Sequence, residues 1–184
     1  MQATKKIVSA IFFFILSIFL FSGCGGGEKE AESTQKTTPA DLFKDDHPAF
    51  DAKAIDPAAE IVPITLQAIG TSMADMSYDQ KVLNVKAGTT IKLKFINTFT
   101  DAAMPHNWVL VYFGTMEAVS KAAIEVGMAG SFVPNSKDVL IATKLLGPKE
   151  ETEITFPAPP PGKYQFVCTY PGHWTLMNGE FIVE

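Results

Sequence analysis

The chain has 184 residues, 47% of them hydrophobic, with 20 acidic and 15 basic side chains and a formal net charge of -5. That is enough for one domain with a real core plus an extension. Every basic residue is a lysine, and an acidic chain without arginine is a poor match for a phosphate backbone, so nucleic acid is excluded as a partner.

Residues 1–23 have the form of an export signal: Lys5 and Lys6, an apolar run over 7–21, then Ser22-Gly23 before Cys24. The run is shorter than the roughly 20 residues a membrane-crossing helix needs, and it ends without a basic stop. It looks like a bacterial lipoprotein signal, cleaved so that Cys24 becomes an acylated N-terminus. Residues 24–59 read as a flexible polar tether, with Leu42, Phe43, Phe50 and Ile55 forming a short segment able to dock on the domain beyond it. His47 within it is expected to be solvent-exposed.

From residue 60 to residue 184 the pattern is short β-rich runs separated by turns. Strands are expected over 61–69, with Pro63 suiting an edge, then over 81–86, 90–97 and 106–113. In the third, Ile91, Leu93 and Phe95 alternate with Lys92 and Lys94, the mark of one buried and one wet face. Alternation places His106, Trp108 and Leu110 on one side of the fourth. Met116, Val119, Ala123 and Val126 fall near helical spacing, so one short helix is expected within 114–130, with Thr115 as its cap. Further strands are expected over 139–144, 151–156, 163–168 and 178–184. The sum is an all-β protein, a Greek-key sandwich of about seven to eight antiparallel strands with one helical insert.

The chemistry concentrates near the C-terminus. Cys168, His173 and Met177 lie within ten residues, and Pro171-Gly172 turns the chain between the first two. Thiolate and thioether favour copper, and a trigonal His2Cys set with a weak axial Met is an electron-transfer geometry. The missing histidine is either His47 or His106. His106 is the better candidate, because a sheet holds it while a linker would have to be ordered on every binding event. With Cys24 and Cys168 each assigned a separate use, no disulfide is expected.

The spacing of Cys168, His173 and Met177, joined to Met104-Pro105-His106-Asn107-Trp108, resembles the azurins and the related auracyanins, and the agreement runs from about Val85 to Val183. Plastocyanin-like loops are shorter between Cys and His, and the dinuclear copper domains of oxidases need a second Cys here. The resemblance implies a cupredoxin whose copper is bound by His106, Cys168, His173 and Met177. It implies that Asn107 bonds across to Thr169, and that the face around His173, made of Met104, Pro105, Pro171, Gly172 and Trp174 with Met73 or Met76, docks a redox partner. Azurins carry Gly before the first ligand His. Pro105 stands there in this chain with its φ fixed, so its carbonyl is not expected to reach the metal.

These expectations make the chain a one-electron carrier with a single copper ion, monomeric, exported and held by its lipid in the bacterial envelope. Donor and acceptor would be redox proteins of cytochrome, oxidase, reductase or reaction-centre type. Copper storage or delivery is the alternative, using the same ligands. Catalysis is not expected, since copper enzymes built on such domains need a further cluster of histidines, and only three histidines are present.

Overall fold

The computed structural model describes His47 and residues 50–184; the signal, Cys24 and most of the tether lie outside the described residues. Among the described residues, nine strands form two facing sheets. The first sheet, in the order β2-β1-β4-β7, is built from β1 (Ile61–Ile69), β2 (Ser77–Tyr78), β4 (Thr90–Asn97) and β7 (Glu151–Pro157). The second, ordered β3-β9-β8-β5-β6, holds β3 (Val82–Val85), β5 (Val109–Tyr112), β6 (Val139–Ala142), β8 (Gly162–Val167) and β9 (Asn178–Val183).

The alternation in β4 is realised: Ile91, Leu93 and Phe95 are fully buried between the sheets. Lys92 and Lys94 face outward, where they pair with Glu153 and Glu151 at 3.0 and 2.9 Å. Phe156, beside Ile91 in the same sheet, and Trp108, Phe166 and Phe181 from the second sheet and its approach complete the same core. Fully burying side chains of this size contributes about 1.5–3 kcal/mol each, and this core is the main stabilising term.

Three expectations need correcting. The sheets are mixed rather than antiparallel, because β1 runs parallel to β4 and β3 parallel to β9. β1 is not an outermost strand, yet Pro63 is tolerated there because β2 reaches only Ala68 and Ile69, leaving Pro63 with a neighbour on one side. Thr115 precedes helix α1 (Met116–Val126), but its hydroxyl donates back to the Tyr112 carbonyl at 2.8 Å and caps nothing.

α1 covers the outside of the second sheet rather than an open end of the sandwich. Val119 packs there on Val109, Val111 and Val167. β5 is therefore buried on both faces, which explains its unbroken apolar sequence. Gly127, with φ 68, ends the helix in a conformation a side chain would resist.

Candidate metal centre

His106 does not begin a strand. It sits three residues before β5, paired with Leu146 in an isolated antiparallel bridge whose two N–H···O bonds measure 3.0 and 2.8 Å. The buried Asn97 amide ties this arrangement together, donating to the carbonyls of Met104 at 2.9 Å and Leu146 at 3.1 Å. On the other side, the Tyr78 hydroxyl donates to the Asn107 carbonyl at 2.7 Å. The histidine backbone is held by three separate parts of the chain before any ligand arrives.

Cys168 follows β8 directly, and the loop after it closes on itself. The Cys168 N–H donates to the Met177 carbonyl at 2.9 Å, and the Met177 N–H to the His173 carbonyl at 2.8 Å. The His173 N–H bonds the Tyr170 carbonyl at 3.0 Å, across a turn in which Gly172 takes φ 84. These bonds bring Cys168 and Met177, nine positions apart in sequence, to one end of the sandwich.

Three donor atoms converge there. Cys168 Sγ lies 3.8 Å from His106 Nδ1 and 3.6 Å from His173 Nδ1, and the two nitrogens are 3.2 Å apart. A point equidistant from all three lies about 2 Å from each, close to the bond lengths that imidazole and thiolate make to zinc. Among the described residues this is the one such cluster of three potential ligands. Met177 is fully buried beside it in sequence and backbone bonding. The donor set fits a metal that accepts soft sulfur and borderline nitrogen.

The electrostatics suit a metal better than a proton. Burial, and secondarily the neighbouring His173, hold His106 down to about 3, and burial holds His173 down to about 4. Both rings are neutral near pH 7, with lone pairs free. Burial pushes the Cys168 thiol up to about 12, opposed by the backbone N–H groups of Asn107 and Tyr170, which point at the sulfur and favour the thiolate. Among the described residues Nε2 of His106 has no hydrogen-bond partner, and the His106 ring lies against that of Phe99, with centroids 4.7 Å apart.

Asn107 and Thr169 are joined twice. Asn107 Nδ2 donates to Thr169 Oγ1 at 2.8 Å, and the Thr169 N–H donates to Asn107 Oδ1 at 2.9 Å. The same pair reaches the end of the helical insert, through Asn107 Nδ2 to the Ser131 carbonyl at 2.8 Å and Thr169 Oγ1 to the Phe132 carbonyl at 2.6 Å. Ser131 and Phe132 both have positive φ, 57° and 55°. Two adjacent left-handed residues without glycine cost free energy, and these bonds hold them.

Not every residue expected on the docking face is there. Met104 and Met76 are 3% exposed and belong to the core, and Pro105 is buried as well. Pro171 and Trp174 are half-buried, Gly172 is exposed, and Met73 is 56% exposed. His47 is not free in solvent: its Nδ1 lies 2.8 Å from Asp138 Oδ1 and its ring stacks on Tyr112, with centroids 4.0 Å apart. Sequence reasoning missed Asn97, Tyr78, Phe99 and Tyr170, whose roles come from contacts that no local pattern announces.

The family model described as copper binding proteins of the plastocyanin/azurin family matches residues 66–184. Over 125 residues the chain is 38% identical to auracyanin-A of Chloroflexus aurantiacus, a match covering 66% of this chain and 75% of that one. It is 35% identical over 111 residues to outer membrane protein H.8 of Neisseria gonorrhoeae, covering 58% of this chain and 61% of the other. The solved structure of dithionite-reduced auracyanin from the photosynthetic bacterium Roseiflexus castenholzii superimposes with a TM-score of 0.60 at 38% identity, over 66% of this chain and 96% of that one.

Proposed function

The chain belongs to the plastocyanin/azurin family of copper-binding proteins, its arrangement of His106, Cys168, His173 and Met177 is typical of a type 1 copper site, and from that premise we propose that it is a one-electron carrier of the bacterial envelope. The observation that carries this reading is the closed triangle of Cys168 Sγ and two imidazole Nδ1 atoms, with sides of 3.2 to 3.8 Å, fixed by the sheet. A site already held in shape has little to rearrange when its occupant changes charge, and that keeps the barrier to electron transfer low.

Bound copper supplies the one-electron couple. His106 and His173 would hold it as neutral donors through Nδ1, and Met177 would offer its thioether. Cys168 would bind as thiolate, its proton released to solvent, with the backbone N–H groups of Asn107 and Tyr170 stabilising the charge on sulfur. Asn107 and Thr169 keep the loop from drifting away from the His106 segment.

Electrons enter and leave past His173, under a small uncharged face of Pro171, Gly172 and Trp174 with Leu176 beside them. A face of that size favours brief encounters with protein donors and acceptors. Acylation of Cys24 would tether residues 60–184 to a membrane through residues 24–59, a reading that the name of the outer-membrane relative supports. The chain would act as a carrier rather than as an enzyme or a copper store, because the donor set is enclosed and held on all sides.

The test is a visible spectrum of residues 50–184 loaded with Cu(II), before and after ascorbate, beside Cys168→Ser. An intense thiolate-to-copper band that bleaches reversibly and is absent from the variant is the expected result. A colourless protein that binds Cu(I) tightly would replace the carrier reading with storage or delivery.

A further inference from the structure

Lys81 stands one residue before β3, outside both segments that carry the copper ligands. Its Nζ donates to the Leu176 carbonyl at 2.9 Å and to the Asn178 carbonyl at 3.2 Å, the two carbonyls on either side of Met177. Its own carbonyl accepts the Glu180 N–H at 2.8 Å. One residue therefore holds the loop exit at three successive places.

That exit has little slack. A Cβ on Gly179 would lie 2.2 Å from the Phe166 ring and 2.7 Å from the Lys81 carbonyl oxygen, so the backbone passes as close as glycine permits. Met177 is itself bonded through both its N–H and its carbonyl. The Lys81 side chain is exposed, with a partial burial that lowers its pKa, and its two hydrogen bonds fix where its charge sits.

We propose that Lys81 is a positioning residue of the copper site, whose ammonium clamps the backbone on both sides of Met177 and so sets how the thioether meets the metal. The same positive charge favours the reduced site, which carries one positive charge fewer than the oxidised one. The proposal rests on the carrier reading above and deepens it.

The test compares copper-loaded wild type, Lys81→Met and Lys81→Arg by midpoint potential, thiolate-to-copper absorption and copper hyperfine splitting. Lys81→Met keeps the stem and removes the charge. It is expected to move the ratio of reduced to oxidised protein about tenfold toward oxidised at fixed solution potential, about 59 mV for one electron, and to change the spectrum. Lys81→Arg is expected to recover most of both. Unchanged potential and spectrum in Lys81→Met overturn the proposal, and a shifted potential with an unchanged spectrum leaves a charge effect and overturns the positioning role.

Should Lys81→Met fail to fold, the metal-free wild type labelled with 15N-lysine decides. Lys81 ammonium protons protected from exchange support the clamp, and protons exchanging as fast as those of the other lysines overturn it. If the wild type never turns blue, the carrier reading fails, while the exchange measurement still judges the clamp.

Discussion

Two pockets of this domain hold histidine rings, and they put the same side chain to opposite uses. At one end of the second sheet His106 and His173 face each other and a thiol, beside Phe99 and Tyr170, with no carboxylate among the described residues in hydrogen-bond contact. Further along the same sheet His47 lies flat on Tyr112, the ring planes only 8° apart, with its Nδ1 taken up by Asp138. The first pair stays neutral with lone pairs pointing at one spot, while the second has spent its nitrogen on an acid. A histidine is available to a metal when its neighbours offer it neither a charge nor a hydrogen-bond partner at the critical nitrogen.

Substitution breaks the comparison most sharply. His173→Ala is expected to remove the thiolate-to-copper absorption altogether, whereas His47→Ala is expected to leave it at wild-type intensity; a copper titration followed by absorbance checks both.

Acidity separates the pockets next. Copper must displace the Cys168 proton, held to about pH 12 in the empty site, so apparent copper affinity is expected to rise tenfold per pH unit from about pH 4 upward. Below about 4, His173 and then His106 also protonate and the slope steepens. Competition against a chelator of known affinity across pH measures the slope. The metal-free protein follows the same two groups: their folded pKa values lie below the unfolded value near 6.5, so their contribution is complete above about 6.5 and is lost as pH falls toward 4 and 3.

Packing differences are smaller. Asn107→Ala leaves the Thr169 N–H and the Ser131 carbonyl without their partner, and is expected to cost about 2–4 kcal/mol in denaturant unfolding of the metal-free domain. His47→Ala, at a side chain 22% exposed, is expected to cost about 1–2 kcal/mol by the same measurement. Lys92→Ala, which breaks an ion pair open to water on both sides, is expected to stay within about 0.5 kcal/mol and serves as the baseline.

The metal end was legible in the sequence because most of it is local. Cys168, His173 and Met177 fall in one loop, and His106 followed from its place at the head of an apolar run. β4 was legible because its two faces differ in kind. What could not be read depends on contacts distant in sequence. The parallel pairing of β1 with β4 leaves no mark on either strand. β2 is two residues long, too short to show a period. His47 sits in a polar stretch, and its partners lie 65 and 91 residues away, so nothing nearby distinguishes it from a solvated side chain. Asn97 read as the end of a strand, and only the fold reveals that its amide holds the His106 bridge.

The His47 contact also has a mechanical side. Tyr112 pairs with Tyr164, and Tyr164 lies four residues, about 13 Å, back along β8 from Cys168. His47 is thus fastened well back from the donor triangle, like a lead soldered to the rear of a probe. A load applied at His47 falls on Tyr112 and Asp138, in and beside the second sheet, and not on the loop that carries Cys168, His173 and Met177.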